Sequence, residues 1–272
     1  MLSKEELPFF LTGHEGETMQ YCYILGLLFL ITYNLAAEPP RQIPEELWSR
    51  FTCNGEIPVT NMYLDGTTNQ TEPNVYSKEV IDELVAKADR REQNYYGQTD
   101  EYLYNALSTF SITGKDVAII GSVVPWYEAI VLSFDGKPTT IEYNKIVTDH
   151  PLLEVMTVEE YAKTPRKFDV VLSVSSLEHD GLGRYGDPIN PDGDIQWMRQ
   201  AKGMLKEGGL LILSIPVGKD HLFWNAHRQY GEKRINKIFE GWRCVATFGF
   251  SPCDLNTFEY TGHQPVFVLA PA

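Results

Sequence analysis

Basic residues and repeats are scarce in this 272-residue chain. It contains 23 Lys and Arg against 37 Asp and Glu, which gives a formal net charge of −14. A nucleic acid is therefore not the expected partner, because binding to phosphates requires basic side chains that displace counterions. The sequence also has no internal repeat and no low-complexity tract, so a repeat architecture is not expected.

Cysteine is rare as well, and its positions exclude a common type of metal site. None of the four cysteines lies in a CxxC pair or at zinc-type spacing to a histidine, so no structural zinc site is predicted. The spacing neither requires nor excludes a disulfide between Cys244 and Cys253. The four cysteines are Cys22, Cys53, Cys244 and Cys253.

Only one long apolar run without a charge is present, from Tyr21 to Ala37. Its length is at the short limit for a bilayer span, and a chain that began at Met19 would resemble a signal peptide or anchor. We therefore predict that residues 1–37 form a hydrophobic segment that directs the protein to the secretory pathway or anchors it in a membrane as a single-pass protein. The alternative is a buried helix in a cytoplasmic protein. The triplet Asn69-Gln-Thr71 would be a glycosylation acceptor in a secretory lumen.

Two short apolar runs are typical of strands that are buried on both faces. The first is Phe168 to Val174, which continues into Leu177-Glu-His179, and the second is Leu210 to Ile215, which follows Leu205-Lys-Glu-Gly-Gly209. A polar loop and one helix's worth of sequence lie between them, which is the layout of a parallel α/β sheet. Both phrases resemble the fourth and fifth strands of the class I S-adenosylmethionine-dependent methyltransferases.

This resemblance implies a Rossmann-like, doubly wound, mostly parallel sheet of seven strands with an N-terminal helical extension. The remaining segments fit that fold: a strand from Asp116, a helix from Trp126 to Phe134, a strand from Pro138 to Asn144, and a third, poorly marked strand within 149–160. The runs after Trp242 and Pro265 fit an antiparallel closing hairpin. We predict a methyltransferase-like domain over residues 114–272, preceded by a linker and helical cap over 38–113. Two amphipathic helices are expected in that cap, at 77–88 and 99–110.

The same resemblance implies a site for S-adenosylmethionine at the carboxyl ends of the strands. The turn at Gly121 and Ser122 would offer backbone N–H groups, and Glu142 at the end of the second strand would accept the ribose hydroxyls. Ser175 and Glu178, which follow the fourth strand, complete the predicted cofactor contacts. The turn has one glycine, whereas methyltransferases of this class normally carry two or three.

The loop from Leu177 to Asp194 holds five carboxylates, and we predict that it forms part of a site. His179 or Asp180 would act as a general base toward the methyl acceptor, since the pKa of histidine lies near neutrality. The alternative is that these residues only cap the strand. A calcium site is a further alternative, but the spacing does not fit an EF-hand and turns explain it better, so no metal is predicted. Its oxygen ligands would be Asp187, Asn190, Asp192 and Asp194.

A second polar cluster follows the fifth strand and is expected at the same edge of the sheet. His227 is a third catalytic candidate, and the remaining polar side chains would bind a small-molecule or glycan acceptor through a carboxylate, sugar or hydroxyl group. The alternative for Arg184 and Arg228 is a salt bridge to the acidic loop. The predicted substrate-binding residues are Arg184, Tyr185, Asp187, Asn225 and Arg228.

Several phrases together resemble the domain of unknown function 268 family, described from nematodes. The resemblance extends from about Ile43 to the carboxyl end, and the family carries no established reaction. Two hypotheses follow: an S-adenosylmethionine-dependent methyltransferase, or a catalytically inactive methyltransferase-like binding or scaffolding protein, anchored to a membrane if residues 21–37 span one. The phrases are Tyr95-Tyr-Gly-Gln-Thr-Asp100, Gly121-Ser-Val-Val-Pro-Trp-Tyr-Glu128, the stretch from Ser175 to Pro188, and Asn225-Ala-His-Arg228.

Overall fold

Strands and helices alternate along the part of the chain that the computed structural model describes, which is residues 38–64, 73–257 and 262–272. The strands in these ranges are β1 Val59–Asn61, β2 Asn74–Tyr76, β3 Asp116–Ile120, β4 Lys137–Glu142, β5 Ile146–Thr148, β6 Glu154–Thr157, β7 Phe168–Val174, β8 Leu205–Ser214, β9 His221–Trp224, β10 His227–Gln229, β11 Trp242–Phe248 and β12 Val266–Pro271. The α-helices are α1 Glu45–Phe51, α2 Lys78–Asp89, α3 Gln98–Thr109, α4 Trp126–Ser133, α5 Val158–Lys163, α6 Gly193–Met204 and α7 Glu232–Ile238.

The central sheet has seven strands in the order β11-β12-β8-β7-β3-β4-β6. Strands β8, β7, β3, β4 and β6 pair in parallel, and β12 pairs antiparallel with both β8 and β11. One row across its middle pairs Ile119 with Leu172, Leu172 with Ile212 and Ile212 with Val268, and all four side chains are buried. The predicted doubly wound, mostly parallel, seven-stranded sheet with a closing antiparallel hairpin is confirmed.

Helices cover both faces of this sheet, which explains why its central strands are apolar without alternation. Helices α2, α3 and α4 contribute side chains to one buried cluster with β3, β7 and β12. Helices α6 and α7 contribute to the other, on the opposite face. The predicted amphipathic helices are both present: Ser77 caps α2 by accepting a hydrogen bond from the Val80 backbone, and Leu103 and Leu107 of α3 are buried. Tyr104 lies outside the predicted face of α3, yet it is fully buried because its ring packs on Phe134.

A smaller sheet, in the order β1-β9-β10, lies beside the residues that precede α1. The indole N–H of Trp224 donates to the Pro40 carbonyl at 3.0 Å, and the hydroxyl of Tyr63 donates to the Pro39 carbonyl at 3.0 Å. Phe51 meets Trp224 edge to face, with ring centroids 5.1 Å apart. The segment that we predicted as a linker is therefore docked on this part of the protein. The division at residue 113 stays a prediction.

Two N-terminal predictions fall outside the described residues: the hydrophobic segment 1–37 and the triplet Asn69-Gln-Thr71. Within the described ranges, no helix combines the length and the apolar character that a membrane crossing requires. The signal or anchor at residues 21–37 stays a prediction. Cys53, Cys244 and Cys253 are free thiols, so the alternative of a disulfide between Cys244 and Cys253 is not realised.

Candidate functional site

Three neighbouring parallel strands bring the predicted cofactor residues to one edge of the sheet. β3 ends just before Gly121 and Ser122, β4 ends at Glu142, and β7 is followed by Ser175. Because β4, β3 and β7 are adjacent and parallel, their carboxyl ends meet at the same edge, where open α/β sheets bind ligands. The Ser122 backbone N–H donates to the Glu142 carboxylate at 3.0 Å, so two of the predicted residues are in direct contact.

The turn after β3, residues 121–125, depends on its single glycine. Gly121 has a φ of +73°, and a Cβ there would lie 2.6 Å from the Cβ of Ser176 and in contact with its Oγ. The space beside Gly121 is therefore filled by a residue that follows β7. The turn then exposes two apolar side chains before α4 begins, since Val123 and Val124 are 70% and 55% exposed.

The Glu142 carboxylate is held by backbone donors. One oxygen accepts from Ser122 N–H and the other from Tyr143 N–H at 2.7 Å. Burial raises the pKa of this carboxyl, while the hydrogen bonds from Tyr143 and Ser122 act in the opposite direction. Each carboxylate oxygen can accept more than one hydrogen bond, so Glu142 keeps capacity for ligand hydroxyl groups.

A buried carboxyl under this turn was missed in the sequence. Glu128 of α4 is fully buried, and its Oε1 accepts from the Thr140 hydroxyl at 2.7 Å. Burial raises its pKa, and the neighbouring Glu142 acts in the same direction. Tyr76 closes the same region by donating its hydroxyl to the Ser122 carbonyl at 2.8 Å. The sequence did offer one signal for this burial, because Glu128 is the single acid in the otherwise mostly apolar helix WYEAIVLS.

The segment after β7 centres on a buried carboxyl group. Ser175, a non-glycine residue with a φ of +51°, donates its hydroxyl to Glu178 Oε1 at 2.6 Å, and Gln264 Nε2 donates to the Ser175 hydroxyl at 3.1 Å. Such a φ is uncommon for serine and marks a locally constrained backbone. Glu178 is 1% exposed, and burial raises its pKa to about 7.

Polar atoms without partners collect beside this carboxyl. Within the described residues, Glu178 Oε2, Gln264 Oε1 and the Tyr127 hydroxyl are buried and make no hydrogen bond. Tyr127 is close enough to Glu178 for the carboxyl charge to contribute to the rise in its pKa, of which burial is the main cause. Buried polar groups are normally hydrogen-bonded, so these atoms indicate a place for a polar ligand or ordered water.

His179 has a defined tautomer. Its Nδ1 lies 2.6 Å from the Ala226 carbonyl oxygen, which can only accept, so Nδ1 carries the hydrogen and Nε2 keeps a lone pair. Nε2 lies 3.8 Å from Glu178 Oε1. Burial lowers the pKa of His179 to about 3. His227, whose ring centroid is 6.3 Å from that of His179, has a pKa lowered to about 4 by burial and by the charge of Arg184. Both imidazoles are therefore neutral near pH 7.

The other acids of the loop from Leu177 to Asp194, the acidic loop, differ in their surroundings. Asp180 makes no side-chain hydrogen bond among the described residues, and burial and the charge of Asp187 raise its pKa. Asp187 instead accepts from the backbone N–H groups of Gly181, Gly183 and Tyr185, at 2.8, 3.0 and 3.3 Å. Asp187 thus holds the loop together rather than facing an acceptor.

The oxygen groups of the alternative calcium site are also bound within the protein. Asn190 Oδ1 accepts from the Asp192 backbone, Asp192 pairs with Arg50 at 2.7 Å, and Asp194 pairs with Arg234. In the described ranges, no group of three or more metal-binding side chains could hold an ion.

Two predicted substrate residues have internal partners. Arg228 is 5% exposed, donates to the Asp180 carbonyl at 2.6 Å and lies 3.7 Å from Asp194. These contacts correspond to the salt-bridge alternative for Arg228. Asn225 is fully buried and accepts from the Leu64 backbone at 2.8 Å. The geometry therefore separates both residues from the rim of the site.

Arg184 and Tyr185 do lie together with His179. The Arg184 guanidinium is 4.9 Å from the centre of the Tyr185 ring, and its Nη1 donates to the Ala226 carbonyl at 3.3 Å. The Tyr185 ring meets His179 edge to face, with centroids 5.4 Å apart, and is 43% exposed. These three residues, with His227, form an aromatic and cationic patch next to Glu178, which we call the Arg184 patch.

Several solved structures with a similar overall arrangement are methyltransferases. They include the 1,6-didemethyltoxoflavin-N1-methyltransferase of Burkholderia thailandensis, with S-adenosylhomocysteine bound, at 15% identity and a TM-score of 0.49 over 71% of this chain and 87% of that chain. A second is an S-adenosylmethionine-dependent methyltransferase of Clostridium acetobutylicum, at 12% identity and a TM-score of 0.45 over 70% and 97%. The glycopeptide N-methyltransferase MtfA, complexed with S-adenosylhomocysteine, gives the same four values.

The sequence comparisons identify a family. No curated protein matches this chain. The model of the family described as "Caenorhabditis protein of unknown function, DUF268" matches residues 114–263, which is more than half of the chain and includes β3, β7, the acidic loop and β8. The resemblance found in the sequence is thereby confirmed, and the chain belongs to the DUF268 family.

Proposed function

We propose that the protein is an S-adenosylmethionine-dependent methyltransferase that acts on a small-molecule or glycan acceptor. The observation that carries this proposal is the joint placement of the β3 turn, the Glu142 carboxylate and the buried Glu178 at the carboxyl edge of a seven-stranded sheet. A ligand in a fold of this class binds at that edge.

The residues present fit the cofactor by the chemistry of their free atoms. Glu142 would accept the ribose hydroxyl groups, and Glu178 Oε2 and Gln264 Oε1 are buried acceptors suited to a ligand ammonium group. When bound, S-adenosylmethionine supplies a methyl group on a positively charged sulfur. A carboxylate buried beside the site favours positive charge more strongly than it would in water.

On the acceptor side, the residues of this chain would orient the nucleophile and take its proton. Glu142 and Glu178 would hold the cofactor that supplies its methyl group to the acceptor oxygen, and this oxygen gives up its proton. The acceptor proton passes to His179 Nε2, which the Ala226 carbonyl keeps free to accept it. Because burial lowers the pKa of His179 to about 3, the free imidazole is a weaker base than the sequence suggested, and the transfer depends on the Glu178 carboxylate, 3.8 Å from Nε2, to stabilise the resulting imidazolium.

Calorimetric titration with S-adenosylhomocysteine and S-adenosylmethionine tests this proposal. We expect both to bind wild-type protein, and Glu142→Ala to weaken binding about tenfold or more, because hydrogen bonds to a charged group are lost. Glu207→Ala removes an exposed acid and serves as the matched control. No heat and no thermal shift with either ligand would show that the protein is not such an enzyme.

One observation favours the second candidate, a methyltransferase-like binding protein without a cofactor. Ser176 occupies the space next to Gly121 that a closely approaching ligand would need. That candidate predicts a folded wild-type protein that binds neither cofactor form, with no change on substitution of Glu142.

A further inference from the structure

Arg184 is the feature of the site that the proposed reaction leaves unexplained. The protein carries a net charge of −14, and Arg184 lies on a loop with five carboxylates, yet it makes no ion pair within the described residues. Other arginines around the loop do have carboxylate partners: Arg50 pairs with Asp192, and both Arg228 and Arg234 lie against Asp194. An arginine that stays unpaired among so many acids is available to an anion from outside the chain.

Among the described residues, no nearby acid forms an ion pair with Arg184. The Asp187 carboxylate accepts three backbone hydrogen bonds from its own loop, and Glu178 accepts from Ser175. Arg184 itself makes one hydrogen bond, to the Ala226 carbonyl, and rests on the Tyr185 ring. A guanidinium has five N–H donors, so most of them stay unused. Their planar fork matches a carboxylate better than it matches any uncharged group.

One backbone oxygen ties this cation to the histidine. The Ala226 carbonyl accepts both from His179 Nδ1 at 2.6 Å and from Arg184 Nη1 at 3.3 Å, so the two nitrogens cannot be farther apart than the sum of these distances. His179 Nε2 is left as an acceptor, which suits a hydroxyl donor. The walls are aromatic: Tyr185 stands against His179, and Phe223 stacks on His227 with centroids 4.7 Å apart.

We propose that the acceptor is a hydroxy-carboxylate with a flat ring, whose carboxylate binds the Arg184 guanidinium and whose hydroxyl donates to His179 Nε2. This assignment of the substrate class rests on the proposed function, because it names the acceptor of the same site. It makes Arg184 the residue that selects an anionic acceptor and His179 the residue that selects a hydroxyl group.

The test uses the full chain and five probe compounds, which are meta- and para-hydroxybenzoate, benzoate, and the amides of the two hydroxy acids. Binding is measured by NMR titration, with and without S-adenosylhomocysteine. We expect at least one hydroxy acid to bind about ten- to a hundredfold more tightly than its amide, the range that a lost charged hydrogen bond gives. Benzoate should also bind less tightly than that acid. Equal affinity for acid and amide overturns the role of Arg184, and equal affinity for hydroxy acid and benzoate overturns that of His179.

Variants sharpen the result. Arg184→Gln should remove the preference for the acid over the amide, and Arg184→Lys should keep part of it, because lysine offers a point charge without the fork. Arg199→Gln, at an exposed position, is the matched control and should leave the preference unchanged. If circular dichroism shows that the Arg184→Gln variant is unfolded, the comparison of acid and amide binding to the wild-type protein still tests the role of Arg184.

The binding results for the hydroxy acids and for S-adenosylhomocysteine distinguish this inference from the proposed function. Hydroxy acid binding without any binding of S-adenosylhomocysteine would support the anion site and contradict the methyltransferase. S-adenosylhomocysteine binding without discrimination between acid and amide would support the methyltransferase and contradict this acceptor class.

Discussion

The β3 turn and the acidic loop lie at the same edge of the sheet, but they use their polar groups in opposite ways. In the turn, the groups satisfy one another: Ser122 donates to Glu142, Tyr76 donates to the Ser122 carbonyl, and Ser176 fills the space beside Gly121. In and beside the loop, Glu178 Oε2 is buried without a partner, and Arg184 has no ion pair among the described residues.

The difference separates residues that build the edge from residues that are available to a ligand. The acidic loop has its own building residues, since Asp187 and Asp194 bind backbone and arginine groups. These anchors leave Glu178, His179 and Arg184 free for other contacts. A site whose supporting residues are satisfied internally is held in place before a ligand arrives, which reduces the cost of binding.

The largest effect is expected from removing the loop's central anchor. Asp194 is fully buried between Arg228 and Arg234, so Asp194→Ala leaves two buried cations without their carboxylate. We expect a loss of about 3 to 5 kcal/mol in the free energy of unfolding, measured with urea. Asp192→Ala is the control: its pair with Arg50 is partly exposed, and its loss should cost less than about 1 kcal/mol. Equal losses in the two variants would show that the loop has no internal anchor.

A smaller effect, with a defined pH dependence, is expected at Glu178. Its pKa rises from the usual value of 4.5 to about 7 in the folded protein, mainly through burial. Below pH 4.5 the carboxyl is protonated in both states and has no effect. As the pH rises toward 7, the unfolded state loses the proton first, and the folded state loses stability relative to it. Glu178→Gln should therefore stabilise the protein by about 1 to 3 kcal/mol at pH 8 relative to pH 5.

Urea unfolding of wild type and Glu178→Gln at both pH values measures this difference. Glu207→Gln, at an exposed acid, should show the same free energy as wild type at each pH. A Glu178→Gln effect that does not change between pH 5 and pH 8 would mean that the carboxyl is ionised in the folded protein throughout.

The positions of the strand ends at this edge could be predicted from the sequence, because the central strands are apolar runs and the carboxyl ends of parallel neighbours lie at the same edge. Glu178 was placed after a strand by that logic, and Glu142 was placed at a strand end by the resemblance to the methyltransferase fold. The N-cap Ser77 and the apolar face of α2 were equally predictable, because an N-cap residue and helical spacing are local features of the sequence.

The roles inside the loop were not predictable in the same way. The sequence left Arg228 open between substrate binding and a salt bridge to the acidic loop, and it gave no sign that backbone N–H groups and Leu64 would occupy Asp187 and Asn225. Their partners lie on other segments, and the sequence does not reveal which of several acids an arginine will meet. The burial of Glu128 depends likewise on how α4 packs against β4.

The smallest effect tests whether the β3 turn is closed by contact or by backbone conformation alone. Gly121 and Gly208 have the same φ of +73°, but a Cβ at Gly208 would meet nothing within 4 Å, whereas one at Gly121 would lie 2.6 Å from the Ser176 Cβ. Both alanine variants carry the cost of a left-handed backbone, about 1 kcal/mol. Gly121→Ala should cost about a further 1 kcal/mol or more, because moving the Ser176 hydroxyl does not relieve the contact with its Cβ. Adding Ser176→Gly should restore Gly121→Ala to the stability loss of Gly208→Ala in urea unfolding. Equal losses in the two single variants would mean that the space beside Gly121 is open to a ligand, and that the turn resembles the acidic loop in this respect.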